Sequence, residues 1–309
     1  MISENTLDTL ATEKNNPASA AIDEMTTVEM MALMNQEDQK VPLSIAPIIP
    51  QIAAAVDLIA DRLRRNGRLI YCGAGTSGRL GVLDAAECPP TFSTDPGQVM
   101  GLIAGGREAI FHAQEGAEDD EATAVSDLTA IELTAADVVV GLSASGRTPY
   151  AVSALHYAHS KGAATVAVAS SPASPLAKEA DVALTALPGP EVIAGSTRLK
   201  AGTVQKLILN MISTGTMIRL GKVYGNRMVD VQATNEKLAR RALRMVQEVT
   251  GDEEGICQEN LNRANGNAKL AILLALSGLS PEEGKRCLEK SAGRLKAALK
   301  SLSHRGGMA

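Results

Sequence analysis

Residues 68–79, Arg-Leu-Ile-Tyr-Cys-Gly-Ala-Gly-Thr-Ser-Gly-Arg, join a short apolar run to a glycine-rich turn. The apolar run predicts a buried strand, and the glycines predict a tight loop that opens a helix. The same order returns at residues 137–148, where Asp-Val-Val-Val-Gly-Leu is followed by Ser-Ala-Ser-Gly-Arg-Thr. Two strand–loop–helix units of this kind predict an α/β fold with a parallel sheet, because parallel strands need a crossover connection.

The rest of the chain extends this pattern and then changes. Further strands are predicted at 98–104, 164–169 and 182–186, and helices at 44–66, 77–87, 119–132, 149–162 and 197–220. The strands are continuously apolar, which predicts helices on both faces of the sheet. After about residue 230 only short helices are predicted. We therefore expect an N-terminal helical segment over 1–50, an α/β domain over 51–230 and a small all-helical subdomain over 231–309.

Composition excludes several classes of protein. The 309 residues are 45% hydrophobic and 21% charged, with a net charge of -5, which is typical of a globular protein rather than a disordered chain. The acidic balance and the absence of Trp argue against nucleic-acid binding. The four cysteines form no CxxC pair, so neither a disulfide framework nor a zinc site is expected. With no signal peptide and no apolar run near the ~20 residues of a membrane span, we expect a cytoplasmic protein without a membrane partner.

The glycine-rich loop Gly73–Gly78 has the spacing GxGxxG, which alone is a weak signal for a dinucleotide site. A dinucleotide site needs an acidic residue at the end of the next strand, and Asp95 precedes that strand instead. The loop also carries the hydroxyl groups of Thr76 and Ser77. Hydroxyls and free backbone N–H groups at a helix N-terminus suit a phosphate monoester.

The second loop strengthens the phosphate hypothesis. Ser143, Ser145 and Thr148 supply three hydroxyl groups, and Gly146 permits a tight turn. One such loop is explained equally well as a helix cap. Two of them after separate parallel strands predict one anion held between two helix N-termini.

Residues 189–203, Gly-Pro-Glu-Val-Ile-Ala-Gly-Ser-Thr-Arg-Leu-Lys-Ala-Gly-Thr, resemble a signature shared by glucokinase regulatory protein and the bacterial N-acetylmuramic acid 6-phosphate etherases. Residues 84–90 and 115–119 resemble the two acidic motifs of the etherases. Residues 12–17 and 34–38 resemble the amino-terminal part of the same family. The resemblance covers about residues 5–250. It implies a sugar-phosphate-binding SIS domain, and the single-domain length favours the etherases over the longer regulatory protein.

The resemblance implies a reaction. These etherases cleave the D-lactyl ether of N-acetylmuramic acid 6-phosphate to N-acetylglucosamine 6-phosphate and D-lactate, in the recycling of cell-wall amino sugars. A base removes the C2 proton of the open-chain sugar, an acid protonates the oxygen that leaves C3, and water then adds. Two carboxyl groups with opposite protonation states suffice, so no metal or redox cofactor is expected.

Glu87 and Glu118 match the catalytic pair of that family, as proton donor and base respectively. Their contexts agree with these roles. Pro89 and Pro90 predict a helix end at about Glu87, where the helix dipole disfavours an anion, and Glu118 precedes a predicted helix whose N-terminus favours one. The other members of the expected binding site follow the strand predicted at 182–186, and either Arg198 or Lys200 receives the lactyl carboxylate; their alternative role is to cap and flank the next helix. These members are Glu191, Ser196, Arg198 and Lys200.

The length of the predicted helix before Pro89 indicates how the protein assembles. If residues 77–87 form an unbroken helix, Glu87 lies about 15 Å from Ser77, because a helix rises ~1.5 Å per residue. Either the helix breaks near Gly81 or Glu87 serves a partner subunit. We expect a homodimer with a shared site. Two other functions remain open: an aldose–ketose isomerase on the same phosphate-binding fold, and a sugar-phosphate sensor without catalysis.

Overall fold

The computed structural model describes residues 13–230 and 236–306. They form two compact units. The first comprises residues 13–87 and Pro96–Gly215, and the second comprises Cys88–Asp95 and residues 216–306. The domain boundaries at 50 and 230 stay a prediction.

A parallel sheet organises the first unit. Its five strands lie in the order β2-β1-β3-β4-β5, and all neighbours are parallel, which confirms the predicted α/β class. Every residue of β1, β3 and β4 is buried, as expected for a sheet covered on both faces. The strands are β1 (Leu69–Gly73), β2 (Val99–Ile103), β3 (Val138–Leu142), β4 (Ala164–Ala169) and β5 (Val182–Thr185).

Chain order reverses at β1, which has β2 on one side and β3 on the other. In open α/β sheets, the crevice beyond the carboxyl ends of such strands is where ligands bind. The fold therefore points to the loops that follow β1 and β3.

The helices of this unit connect the strands and precede the first of them. Helices α6 and α7 pack against each other, α7 also packs on β3, and α3 packs on β5. The helices are α1 (Thr27–Asp38), α2 (Lys40–Ile45), α3 (Ile49–Arg64), α4 (Gly75–Phe92), α5 (Glu108–Phe111), α6 (Glu121–Ala130), α7 (Pro149–Ser160), α8 (Pro175–Lys178) and α9 (Lys200–Arg219), with α4 and α9 continuing into residues of the second unit.

The helix predicted over 44–66 is divided. A 3-10 turn at Ala46–Ile48 separates α2 from α3, and Pro47 and Pro50 each lie in a first turn. Proline is tolerated there because those N–H groups have no partner within the helix. The prolines therefore start new segments where the apolar periodicity alone predicted one helix.

Residues 27–64 also correct the expectation about membrane spans. By length and composition this helical stretch is long and apolar enough to cross a membrane, so the prediction that no run approaches that length is wrong. A core helix passes the same test, and α3 buries one face, formed by Ile52, Ala55, Val56, Ile59, Ala60 and Leu63.

Helix α4 corrects the expected end at Glu87. It continues through Pro89 and Pro90 to Phe92. Each proline removes one N–H donor, so α4 loses two of its hydrogen bonds, and it ends at Phe92, two residues after Pro90. Nor does α4 break at Gly81: a Cβ there would lie 2.8 Å from Cβ of Tyr71, so this glycine lets α4 pack closely on β1.

The second unit is largely helical, as predicted. Its described residues form α10 (Glu236–Thr250), α11 (Glu254–Arg263), α12 (Ala268–Ser277), α13 (Pro281–Lys290) and α14 (Leu295–Gly306). The residues from Ala268 to Leu274 in α12 are all buried, and this helix lies at the centre of the unit's core. A short antiparallel hairpin of β6 (Val223–Tyr224) and β7 (Arg227–Met228) was not predicted.

Candidate functional site

The first loop leads from β1 directly into α4, which begins at Gly75. Gly75 has a φ of +52°, and Gly78 is tightly enclosed, since a Cβ there would lie 2.6 Å from the carbonyl oxygen of Gly73. These glycines let the start of the helix pack on the end of the strand. Thr76 is half-buried and Ser77 is buried, so the first turn of α4 carries both predicted hydroxyl groups.

The second loop gathers its hydroxyl groups around Ser143. The Ser143 Oγ lies 2.9 Å from the Thr148 Oγ1 and 3.4 Å from the Ser145 Oγ, and it accepts a hydrogen bond from the Gly146 N–H at 3.0 Å. Gly146 has a φ of +69°, and a Cβ there would lie 2.3 Å from the Ser174 Oγ. Only glycine fits, so the turn that holds the hydroxyl groups together depends on it.

Strand register brings the two loops side by side. Gly73, which ends β1, is paired with Leu142, which ends β3. Helices α4 and α7 therefore start from neighbouring strand ends, at the point where chain order reverses. This edge of the sheet carries Thr76, Ser77, Ser143, Ser145, Gly146 and Thr148. Hydroxyl groups and amides at two helix N-termini are able to bind one phosphate group.

Glu118 shares a cleft with the first loop. The cleft has a volume of about 190 Å³, and its walls include Ala74, Gly75 and Arg79 on one side and residues 113–118 on the other. Glu118 is exposed on a 3-10 turn, Ala117–Asp119, that follows Gly116. The cleft thus places a carboxylate next to the glycine-rich loop, as a base acting on a sugar phosphate would require.

The helix after Glu118 starts later than predicted. Helix α6 begins at Glu121, and the Asp120 side chain accepts a hydrogen bond from the Thr123 N–H at 3.0 Å. Asp120 is therefore the N-cap, and Glu118 lies in the separate turn before it. The helix N-terminus therefore favours an anion at Asp120 rather than at Glu118.

Glu87 is not brought to this cleft by its own chain. It is exposed and lies twelve residues beyond Gly75 in the unbroken α4. That spacing corresponds to about 18 Å along the helix axis. Of the two carboxylates expected to act together, the described residues place only Glu118 beside the first loop.

Glu191 and Lys200 are engaged in contacts within the protein. The buried Glu191 carboxylate accepts hydrogen bonds from the N–H groups of Lys200 and Ala201, both at 2.9 Å, and so caps α9. The Lys200 Nζ donates to the Glu37 Oε2 at 2.7 Å, and the exposed fractions of these residues are only 1% and 3%. Capping α9 and pairing with Glu37 account for the two side chains, so Lys200 is not free to bind a ligand.

Ser196 and Arg198 lie between these two anchors. Ser196 is half-buried, and its N–H donates to the Ile193 carbonyl at 3.0 Å. Arg198 is exposed, and the described part of the chain provides it with no ion-pair partner. Of the two cations considered for the lactyl carboxylate, Arg198 is the accessible one.

Several residues around the site were not predicted from the sequence. Arg79 lines the cleft and donates from its Nε to the Ile110 carbonyl at 3.0 Å, and Glu115 lines the cleft as well. Asn16 contacts the segment before α9, and Glu37 contacts the first residue of α9. All four belong to stretches singled out for their resemblance or loop pattern, but the pattern assigned them no role.

A buried polar cluster holds α4 in place. Asp84 accepts hydrogen bonds from the Tyr71 hydroxyl at 2.8 Å and from the Ser213 hydroxyl at 3.1 Å, which links α4 to β1 and α9. Burial raises the pKa of Asp84, although these hydrogen bonds act in the opposite direction. Asp84 therefore anchors the helix whose first turn forms the glycine-rich loop.

Three family models match the chain. They are the N-terminal SIS domain of glucokinase regulatory protein over residues 51–159, the SIS domain over 117–214, and the C-terminal lid domain of glucokinase regulatory protein over 225–269. A Bacteroides fragilis protein assigned to the phosphosugar isomerases, and to capsule formation, has a similar crystal structure. The TM-score is 0.51 at 23% identity, covering 65% of this chain and 95% of that one, so the likeness concerns the fold alone.

Curated relatives match almost the whole chain. Proteins named N-acetylmuramic acid 6-phosphate etherase from Edwardsiella ictaluri and Serratia proteamaculans are each 55% identical over 293 residues. The matches cover 95% of this chain and 98% and 99% of the relatives. The Streptomyces avermitilis protein of the same name is also 55% identical, over 95% of this chain and 94% of its own length.

Proposed function

The chain belongs to the N-acetylmuramic acid 6-phosphate etherase family, and we propose that Glu118 and Glu87 carry out its acid–base chemistry on a sugar whose phosphate is held by two hydroxyl-rich loops. The enzyme is a lyase that cleaves N-acetylmuramic acid 6-phosphate, in amino-sugar recycling. The observation that carries the residue assignment is the cleft that Glu118 shares with the glycine-rich loop.

The reaction needs one base and one acid. In the open-chain sugar the C1 aldehyde acidifies the C2 proton, which the Glu118 carboxylate removes. The C3–O bond then breaks, and protonated Glu87 donates its proton to the departing lactate oxygen. Water adds across the double bond, with its hydroxyl on C3 and its proton on C2, giving N-acetylglucosamine 6-phosphate and D-lactate. The two carboxyl groups relay these protons, Glu87 recovering from the added water the proton that it gave to lactate, so the proposal involves no cofactor.

A second copy of the chain supplies Glu87. The ~18 Å between Gly75 and Glu87 along α4 supports a site shared between subunits, because a hexose phosphate is shorter than that distance. Large apolar side chains exposed on the N-terminal helices offer a surface for such a dimer. Val28 is 79% exposed and Leu43 is 73% exposed. A homodimer in the cytoplasm, acting on a small amino-sugar phosphate, is the assembly we propose.

Arg198 binds the lactyl carboxylate in this proposal. Its guanidinium is exposed, whereas the Lys200 ammonium is held by Glu37. Guanidinium and carboxylate groups match geometrically through two parallel hydrogen bonds.

The experiment that tests the function is incubation of the purified protein with N-acetylmuramic acid 6-phosphate, followed by an assay for D-lactate. We expect lactate release, and Glu118→Ala serves as the inactive control. An aldose–ketose isomerase would convert sugar phosphates without releasing lactate, and a sensor would bind without turnover. Well-folded protein that releases no lactate would contradict the assignment.

A further inference from the structure

Glu37 and Lys200 form a buried ion pair between distant parts of the chain. Glu37 lies near the end of α1, Lys200 is the first residue of α9, and 163 positions separate them. Lys40 also donates to the Glu37 carboxylate. Burying two charges is costly, and a well-packed apolar pair is often at least as stable. An ion pair at this position therefore calls for an explanation other than stability.

The pair fixes one end of a loop that carries proposed ligands. Residues 186–199, here called the 186–199 loop, connect β5 to α9 and contain Ser196 and Arg198. The Asn16 side chain donates to the Pro190 carbonyl at 3.3 Å, and Glu191 is bonded to the first amides of α9. The loop is thus attached to the N-terminal segment at its start and, through Lys200, at its end.

Glu37 carries its negative charge at neutral pH. Burial opposes the charge on Glu37, but hydrogen bonds from Lys200, Lys40 and Asn16 outweigh it and lower the pKa of Glu37 to about 2. If the Lys200 ammonium moved to bind a substrate carboxylate, it would leave Glu37 buried with the exposed Lys40 as its remaining cation. The geometry therefore favours a fixed Lys200 over a substrate-binding one.

We infer that Glu37 and Lys200 are positioning residues, which hold the 186–199 loop so that Arg198 faces the lactyl carboxylate of the substrate. This inference rests on the proposed function, because it assumes a substrate with a lactyl group. It assigns a role to the conspicuous lysine of the 189–203 signature and to Glu37, which lies far from that signature in sequence.

The test compares Glu37→Gln and Lys200→Met for lactate release and for binding of N-acetylglucosamine 6-phosphate, which lacks the lactyl group. We expect both variants to raise KM for the etherase substrate about tenfold or more, since Arg198 loses its orientation. Product affinity should change by less than about twofold. Asp38→Asn and Lys206→Met are matched controls, because these exposed or half-exposed neighbours on α1 and α9 should leave both measurements unchanged.

The double variant Glu37→Met/Lys200→Met is a control for unfolding, because it removes both charges together and leaves neither one buried without its partner. It should unfold near the wild-type temperature yet keep the raised KM, since two methionines lack the directional bonds that orient the loop. Three results would overturn the inference: wild-type KM in this double variant, a raised KM in Lys200→Met but not in Glu37→Gln, which would make Lys200 a direct ligand, or equal losses for substrate and product. Wild-type protein that releases no lactate would instead overturn the proposed function.

Discussion

The hydroxyl groups of the second loop form hydrogen bonds within the loop itself. The Ser143 Oγ lies within hydrogen-bond distance of the Thr148 hydroxyl and accepts the Gly146 N–H. The Arg147 N–H donates to the Ser145 Oγ at 3.2 Å. In the proposed function, a loop held in this way would bind the phosphate without first having to become ordered, which lowers the entropic cost of binding.

Ser145→Ala tests this loop. It should weaken affinity for N-acetylglucosamine 6-phosphate by roughly ten- to a hundredfold, because a hydrogen bond to a charged group is worth ~1.5–3 kcal/mol. Isothermal titration calorimetry measures the change. Ser160→Ala is the control, since that hydroxyl bonds the Tyr157 carbonyl near the far end of α7. Unchanged affinity in Ser145→Ala would remove this residue from the phosphate site.

The two carboxylates should be separable by isotope exchange. Glu87→Ala keeps the proposed base, so in heavy water it should exchange deuterium into C2 of intact substrate while releasing little lactate. Glu118→Ala loses the first step, so exchange and lactate release should fall together, each by about 10²–10⁴-fold. Mass spectrometry of recovered substrate reports the exchange. Exchange that survives only in Glu118→Ala would reverse the roles, and near wild-type rates in both would remove them from catalysis.

At the scale of elements, α4 unites most of the proposed chemistry. Its first turn forms the glycine-rich loop, Asp84 anchors it to β1 and α9, and Glu87 lies in the next turn. Its position depends on close packing against the sheet. At Gly101 of β2, a Cβ would lie 2.7 Å from Cα of Val82 in α4.

Gly101→Ala should therefore separate α4 from β2. Backbone atoms cannot move aside as a flexible side chain can, so we expect a loss of about 1–3 kcal/mol in the free energy of unfolding, measured by urea denaturation. Gly97→Ala, four residues earlier, is the matched control: nothing lies within 4 Å of its Cβ position, and it should stay within about 0.5 kcal/mol of wild type. Equal stability of the two variants would contradict the close packing.

At the scale of the whole molecule, the proposed active site needs two chains. The unbroken α4 carries Glu87 away from the loop that the same helix begins. In a symmetric dimer, Glu87 of each chain would lie at the site of the other chain, because a two-fold axis relates the two sites to each other.

Hybrid dimers test this directly. If Glu87 acts across the interface, mixing Glu87→Ala with Glu118→Ala subunits rebuilds one complete site in each hybrid. Since half of randomly mixed dimers are hybrids, about a quarter of wild-type lactate release should return. Each variant incubated alone is the control. If mixing restores no activity although native mass spectrometry detects hybrids, both residues act within one chain.

Local sequence determined a large part of this protein. The apolar runs at β1, β3 and β4 required buried strands, and the hydroxyl-rich turns after two of them predicted the phosphate loops, because strand, turn and helix preferences act over a few neighbouring residues. The resemblance at residues 189–203 indicated the family that the curated relatives establish.

Only the tertiary structure decided how distant residues combine. In the structure, Lys200 pairs with Glu37, and Asp120 is the N-cap of α6. Helix α4 continues through Pro89 and Pro90. A lysine in a signature is equally compatible with binding a ligand and with pairing a buried carboxylate. The choice depends on which charge the fold brings within hydrogen-bond distance, and for residues 163 positions apart no local pattern contains that information.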